Sequence, residues 1–240
     1  MACQLPLAFP YPSEQCFETY LHAPQGVLSL LLAVAEGRLR EWLYLVGAPS
    51  SGKTHLAIAV CSVAQRCGRH VAYIPLHKVK GNVAEVFDGL ENADLVIIDA
   101  LDAIVPRCHD EIALFGFHNR ARTRGTTVIY CGRGGPDRLP LQLPDLRSRL
   151  AQCSQVALAT LDDEARAAVL QDRARRRGLI LDRAAIDWLL IHSGRELAGL
   201  VELLERLDRA ALAAQRQITL PFLRTMLKRW TDENREGMEP

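Results

Sequence analysis

Residues 47–54 of this sequence, GAPSSGKT, combine the residue types and the spacing with which proteins bind phosphate groups. Glycines at the two ends of such a loop let backbone N–H groups approach phosphate oxygens without interference from a Cβ atom. The helix that follows adds unpaired N–H groups and the positive end of its dipole. Lys53 is expected to reach the β- and γ-phosphates. The segment therefore predicts a site for a nucleoside triphosphate or diphosphate, with contacts from Gly47, Pro49, Ser51, Gly52, Lys53, Thr54 and His55.

A second candidate for chemistry is Asp99, which ends the apolar run of residues 93–100. Consecutive apolar residues predict a strand that is buried on both faces, as parallel sheets require. The carboxyl ends of such strands are where open α/β sheets bind ligands. Asp99 and the Thr54 hydroxyl are therefore expected to hold a magnesium ion on the nucleotide phosphates. The alternative is an aspartate that only caps the next helix.

The elements that must position these residues alternate between strand and helix over residues 42–160. This alternation predicts a parallel sheet with helices on both faces. Strands are predicted from Trp42 to the phosphate loop and at 70–75, 93–100, 126–132 and 154–160. Helices are predicted at 26–40, after the phosphate loop, over about ten residues near Val83, and at 109–123 and 143–151. Beyond Thr160 the pattern is all helical, with Thr160 and Asp163 at capping-box spacing and helices at 160–177, 182–192, from 194 and 219–229.

This pattern predicts four parts of the chain. They are an extended N-terminal tail at 1–12, an α/β nucleotide-binding domain at 13–160, a helical lid at 161–230 and a frayed tail at 231–240. The 29 basic and 28 acidic side chains nearly balance, so no overall field favours nucleic acid or a membrane. The seven cysteines include no C-x-x-C pair, which favours reduced, buried thiols in a cytoplasmic protein. No signal peptide or membrane span is expected.

A phosphate-loop domain followed by a small helical lid resembles the AAA+ ATPases, and its details resemble the DnaA-related family, in particular its Hda group of regulatory inactivators. The resemblance rests on the order of six segments: QLPLAF, PSSGKTHL, VIIDALD, LPDLRSRL, GRELAGLVELLERLDRA and TLPFLRTML. It implies bound ADP or ATP with Mg²⁺. It also implies that Arg149 is an arginine finger acting on a neighbouring subunit, and that Arg195 contacts the chain's own nucleotide. The alternative for both arginines is a solvated surface charge.

The QLPLAF segment near the N-terminus resembles the hexapeptide that docks on the replicative sliding clamp, the beta subunit of DNA polymerase III. Its expected contacts are Gln4, Leu5, Leu7 and Phe9. A glutamine that hydrogen-bonds at one end and apolar side chains that enter a pocket suit an extended peptide ligand. The alternative is a tail packed against its own domain.

Two departures from the family pattern concern hydrolysis. Ala100 stands where AAA+ hydrolases place a second acid after the magnesium-binding aspartate, and Asp102 follows only two residues later. The strand end that senses the γ-phosphate offers Cys131 and Arg133 in place of Thr, Asn or Asp. We therefore expect the chain to bind nucleotide and to hydrolyse its own ATP weakly.

The resemblance implies a negative regulator of replication initiation. It would dock on the DNA-loaded clamp and insert Arg149 into the ATP site of DnaA, which would then hydrolyse its ATP. One alternative is an adaptor that recruits the initiator without stimulating hydrolysis. Others are a loader or remodeller driven by its own ATP and, more remotely, a small-molecule kinase.

No sequence-specific DNA binding is expected, because too few residues follow the lid for DnaA's helix-turn-helix module. The basic run Arg173, Arg175, Arg176 and Arg177 is interpreted as a solvated helix face. Self-association is possible.

Overall fold

The computed structural model describes residues 14–179 and 181–192. It also describes positions 199, 203, 204, 206, 207, 209, 221 and 223–226. The chain divides into two compact units, Met1–Thr160 and Leu161–Pro240. Among the described residues, none of the helices combines the length and the apolar character that crossing a bilayer requires.

The first unit is built on five parallel strands. They are β1 (Leu43–Val46), β2 (Val71–Pro75), β3 (Leu95–Asp99), β4 (Thr127–Gly132) and β5 (Ser154–Ala157). Their order across the sheet is β2-β3-β4-β1-β5, and each neighbouring pair is parallel. The strand before the phosphate loop, β1, thus lies between β4 and β5. This architecture confirms the predicted α/β fold with its following helical lid.

Seven α-helices have their bounds within the described residues. They are α1 (Val27–Ala35), α2 (Lys53–Arg66), α3 (Val83–Phe87), α4 (Cys108–Arg124), α5 (Pro144–Ala151), α6 (Asp163–Arg176) and α7 (Arg183–His192). Several predicted boundaries were wrong. The helix predicted at 26–40 ends at Ala35, and the helix near Val83 has only five residues. A glycine follows each of these ends, Gly37 and Gly89. Both glycines have left-handed backbone conformations, which glycine adopts at little cost. The last strand ends at Ala157.

The two faces of the sheet form separate cores because successive strand residues point in opposite directions. Leu43 and Leu45 of β1 pack with residues of α1 and α2, such as Leu31 and Val60. Tyr44, between them, packs on the opposite face with residues of α3, α4 and α5. Helices therefore cover both faces, and all but one of the residues of β1, β3 and β4 are buried.

The second unit has its own apolar core, which α6 and α7 share. Leu170, Ala174, Ile186 and Leu189 are buried in it. The N-cap of α6 is Asp162, whose carboxylate accepts the Ala165 N–H at 2.7 Å. The predicted capping box of Thr160 and Asp163 was therefore wrong by two residues. Asp162 is the N-cap, and it accepts the N–H of the third helical residue.

The cysteines are free thiols in the part of the chain that the structure describes. Cys61, Cys131 and Cys153 are buried, as predicted. Cys67 and Cys108 are exposed, so the prediction of buried thiols was wrong for these two. Within the described ranges, no group of three His, Cys, Asp or Glu side chains is arranged to hold a metal ion.

A buried carboxylate fixes the start of α5. Glu111 of α4 is fully buried, and its Oε2 accepts the backbone N–H groups of Gln142 and Leu143, each at 2.9 Å. Leu143 is the N-cap of α5, and its own side chain offers no oxygen to cap the helix. Glu111 therefore satisfies N–H groups that would otherwise be unpaired where α5 begins.

A buried histidine lies in the core between α4 and the sheet. His118 Nδ1 is 3.0 Å from the Tyr130 hydroxyl, and its ring packs edge-on against Trp42 at 4.5 Å between centroids. Burial lowers the pKa of His118 to about 4, and the positive charges of Arg122 and Arg149 add to this effect. The histidine is therefore neutral in the folded protein at neutral pH.

Replacing Glu111 by alanine is expected to lower the free energy of unfolding of the first unit by about 2–3 kcal/mol, because two backbone N–H groups lose a charged acceptor. Urea unfolding followed by circular dichroism measures the change. The control is Glu85→Ala on the exposed side of α3, which is expected to change stability by less than about 0.5 kcal/mol. Equal effects of the two substitutions would contradict this role of Glu111.

The buried histidine also makes stability depend on pH. The unfolded chain protonates His118 near its ordinary value of about 6.5, whereas the folded chain does so only near 4. The unfolded state thus binds more protons between these two pKa values. The stabilisation of the folded state that this difference provides is therefore complete above pH 6.5 and is lost as the pH falls toward 4. The expected slope is at most about 1.4 kcal/mol per pH unit. Comparing urea unfolding of the wild type and His118→Gln from pH 4.5 to 7.5 isolates the contribution, and parallel curves would refute it.

Candidate functional site

The phosphate loop between β1 and α2 requires glycine at both of its ends. A Cβ on Gly47 would lie 2.5 Å from Ser51 Oγ and 2.8 Å from the backbone oxygen of Leu158. Gly52 caps α2 with φ at 88°, and a Cβ there would collide with the ring of Tyr20. Both positions therefore exclude other residues, and the loop keeps the tight turn that phosphate binding needs.

Lys53, the first residue of α2, folds back over this loop. Its Nζ donates to the carbonyl oxygens of Gly47 at 2.6 Å and Ala48 at 2.8 Å. Burial lowers the pKa of Lys53, while the nearby Asp99 carboxylate is among the groups that oppose the shift. The lysine amine thus lies inside the loop, where a phosphate oxygen could replace a carbonyl as its partner.

The predicted magnesium residues are brought together across the carboxyl edge of the sheet. Asp99 is almost fully buried, and its Oδ2 accepts the Thr54 hydroxyl at 2.7 Å and the Tyr73 hydroxyl at 2.8 Å. Its Oδ1 accepts the backbone N–H of Ala100 at 2.8 Å. Hydroxyl and carboxylate oxygens side by side are the ligands that Mg²⁺ prefers, so Thr54 and Asp99 fit a magnesium–nucleotide complex.

Tyr73 of β2 was not predicted from the sequence. Burial raises the pKa of Tyr73, and the negative charge of Asp99 raises it further, so the phenol remains a donor to that carboxylate. It orients Asp99 from the neighbouring strand, whose Pro75 pairs with Asp99 in the sheet. A tyrosine in the middle of a strand has no separate sequence signal, because this contact depends on the strand order.

The turn after Asp99 separates it from the next acid. Ala100 has φ at 59° and ψ at 51°, a left-handed conformation that is costly for residues other than glycine. Asp102 follows in a short 3-10 helix, and its two carboxylate oxygens accept the backbone N–H of Arg133 at 3.1 and 3.0 Å. Asp102 is thus engaged in holding the segment after β4.

A segment before α1 packs against the phosphate loop. Tyr20 donates its hydroxyl to the Ser51 carbonyl at 2.9 Å. His55 Nε2 lies 2.8 Å from the Cys16 carbonyl and 3.1 Å from the Thr19 hydroxyl. The His55 side chain therefore contacts this segment, and a contact to nucleotide from the same residue would use its backbone N–H. Nothing in the sequence pattern predicted the role of Tyr20.

The two arginines of α5 differ in their surroundings. Arg147 donates to the Leu141 carbonyl at 2.5 Å within its own unit. Arg149 is exposed, and its guanidinium makes no hydrogen bond or ion pair with any residue that the structure describes.

Arg195 and the predicted clamp contacts lie outside the described residues. These are Gln4, Leu5, Leu7 and Phe9.

Solved structures with the same fold include replication initiators. Domain III of the Thermotoga maritima replication initiation protein DnaA matches with a TM-score of 0.75 at 19% identity, over 92% of this chain and 98% of that chain. The replication initiator DnaA bound to AMPPCP and single-stranded DNA matches at 0.68 and 19%, over 94% and 70%. The Thermotoga maritima RuvB Holliday junction branch migration motor matches at 0.59 and 19%, over 84% and 66%. These similarities show a shared fold.

Two family models match successive parts of the chain. The model of the ATPase family associated with various cellular activities, AAA, matches residues 43–152 and thus spans the phosphate loop, Asp99 and α5. The model of the Hda lid domain matches residues 163–227, which follow the sheet. A lid of this type directly after an AAA domain bears out the resemblance predicted from the sequence. The chain is an AAA+ protein related to Hda and DnaA.

Proposed function

We propose that this chain is a regulator of replication initiation that binds a nucleotide at residues 47–54 and inactivates ATP-bound DnaA. It would dock on the DNA-loaded sliding clamp through Gln4, Leu5, Leu7 and Phe9. It would then insert Arg149 into the ATP site of DnaA. The observation that carries this proposal is the exposed guanidinium of Arg149, which pairs with none of the described residues, on a helix whose start Glu111 fixes.

The surroundings of Arg149 support a role toward a partner. An arginine that reaches a neighbour's phosphates stabilises the charge of the transferring phosphoryl group and can raise the rate by about 10³ or more. Such a group must be exposed, and it must start from a rigid element. Arg149 meets both conditions, whereas Arg147, two residues earlier, already donates to Leu141 within its own unit.

The chain's own site supports nucleotide binding with weak turnover. Lys53, Thr54 and Asp99 would hold the phosphates and a magnesium ion, which would neutralise phosphate charge. Ala100 provides no carboxylate to orient an attacking water, and Asp102 is engaged with the Arg133 N–H. We propose bound ADP or ATP as a structural ligand and Arg195 as a further contact from the lid.

Two alternatives remain distinct from this proposal. An adaptor that only recruits the initiator would need the clamp segment and the lid but not Arg149. A loader or remodeller driven by its own ATP would need an acid beside Asp99, and Ala100 disfavours it. Each alternative predicts a different result in the experiments below.

Replacing Lys53 by alanine is expected to weaken ADP binding at least about tenfold, because the loop loses its charged phosphate donor. Asp99→Asn is expected to remove most of the difference between affinities measured with Mg²⁺ and with EDTA. Titration with a fluorescent ADP analogue measures both effects. The exposed Lys80→Ala serves as the control and should bind like the wild type. Unchanged affinity in Lys53→Ala would place the nucleotide elsewhere.

The proposed action on DnaA is tested by following radiolabelled ATP bound to DnaA in the presence of clamp loaded on DNA. The wild-type chain is expected to stimulate hydrolysis. Arg149→Ala should lower that stimulation by about 10³ while leaving its own ADP affinity unchanged. Gln4→Ala should abolish the stimulation that the loaded clamp supports. Arg124→Ala, an exposed arginine at the end of α4, is the matched control.

The outcomes separate the candidates. Stimulation that survives in Arg149→Ala would refute the finger assignment. Binding to DnaA and clamp without any stimulated hydrolysis would favour the adaptor. Rapid ATP turnover by the chain alone, lost in Lys53→Ala, would favour the loader or remodeller.

A further inference from the structure

A groove of about 370 Å³ lies between α1, the last turn of α2 and the segment around Phe17. This volume is within the range of pockets that hold ligands. Val63, in its wall, lies ten residues after Lys53 in α2, which is about 15 Å along the helix. The groove is therefore separate from the phosphate loop at the other end of that helix.

Apolar side chains form the floor of this groove. Phe17, Leu28 and Leu32 are partly buried against the core on this side of the sheet, and Val63 is almost fully buried there. Their remaining surface faces the groove. Covering such surface with other apolar side chains removes it from water, which is favourable.

Two of the charged side chains at the rim are engaged with neighbours. Glu36 pairs with Arg38, and Arg66 donates to the Ser62 hydroxyl at 3.1 Å. An incoming ligand need not supply counter-charges for these two groups. The groove therefore suits an uncharged segment with apolar side chains.

The chain reaches this groove from a fixed point. The Thr19 hydroxyl donates to the Glu14 carbonyl at 2.7 Å, and His55 Nε2 of α2 lies 2.8 Å from the Cys16 carbonyl. Phe17, which lines the groove, lies between these anchored residues. Residues 1–13 are outside the described part of the chain, and they join it at Glu14, only three residues before Phe17.

The sequence of residues 1–13, MACQLPLAFPYPS, matches the groove in its chemistry. It contains no charged side chain, and its large apolar residues include Leu5, Leu7 and Phe9. Phe9 precedes Glu14 by five residues, which span at most about 18 Å in an extended chain. A segment tethered so close to its site has an effective concentration on the order of millimolar, so a modest intrinsic affinity is enough for docking.

We propose that residues 4–9 dock in this groove of the same chain, with Leu7 and Phe9 on its apolar floor. The same side chains are the proposed clamp contacts, so the consequence for the clamp rests on the proposed function. The groove and the clamp then compete for one segment. The apparent affinity for the clamp is reduced in proportion to the fraction of chains whose segment is undocked.

Two cysteines allow this docking to be measured in the full chain. Cys3 lies one residue before Gln4, and Cys67 is an exposed free thiol in the groove. Treatment with a short bis-maleimide and peptide mass spectrometry is expected to detect Cys3–Cys67 links at least about tenfold more often than Cys3–Cys108 links. Cys108 is the matched control, because it is also an exposed free thiol but begins α4, which packs on the opposite face of the sheet. A mixture of unlabelled and isotope-labelled chains distinguishes links within one chain from links between two.

A substitution in the groove tests the competition with the clamp. Ser29 is exposed on α1, so Ser29→Arg fills the groove with a long charged side chain without removing a core contact. It is expected to lower the yield of Cys3–Cys67 links about tenfold and to raise the affinity for purified clamp about three- to tenfold. Saturating clamp should likewise suppress these links in the wild type. Thr123→Arg, exposed on α4, should match the wild type in both measurements.

Thermal unfolding checks that the variants fold, and Ser29→Lys replaces Ser29→Arg if the latter melts earlier than the wild type. Equal yields of links to Cys67 and to Cys108 would overturn the docking and leave the proposed clamp binding intact. Links between unlabelled and labelled chains would assign the groove to a second copy and also overturn docking within one chain. Unchanged clamp affinity in a folded Ser29 variant that has lost the link would overturn the competition. Selective Cys3–Cys67 links in a chain that does not bind the clamp would support the docking and overturn the proposed clamp function.

Discussion

The tight turn at Gly47 is the constraint on which the rest of the first unit depends. Its N–H binds the end of β4, its missing Cβ leaves room for Ser51 and the Leu158 backbone, and its carbonyl holds Lys53. Because β1 lies between β4 and β5, this one residue joins three strand ends to the start of α2. The loop at 47–54, the hydrogen bond between Thr54 and Asp99, and the strand end with Arg133 are positioned relative to it.

Around this turn, the polar groups divide into two kinds. Some hold the protein together: Asp102 binds the Arg133 N–H, Glu111 binds the start of α5, and Tyr44 binds Gly134. Others are exposed and pair with none of the residues that the structure describes, and Arg133 and Arg149 are examples. Carboxylates and hydroxyls that bind backbone groups hold these segments in place, so the exposed arginines on them start from fixed positions.

The segment at 16–20 connects this site to the N-terminal part of the chain. Tyr20 binds the Ser51 carbonyl and closes over Gly52, while the Cys16 carbonyl and the Thr19 hydroxyl lie against His55. The loop that would hold phosphate is therefore packed on one side by residues that lie only a short distance in sequence from Gln4–Phe9. Its geometry depends on that segment as well as on the sheet.

The sequence by itself predicted the glycine-bounded loop at 47–54, Asp99 at the end of a buried strand, the α/β class and the helical unit that follows. These follow from spacing and periodicity, which are local properties of the chain. The ends of the elements were predicted less well, as at Ala35 and Asp162. Several neighbouring residues can begin or end a helix, and the sequence does not choose among them. Only the tertiary structure decided the roles of Tyr73, Asp102, Glu111 and Tyr44. Each acts on residues that are distant in the chain, and strand order and the packing of α4 bring those residues into contact.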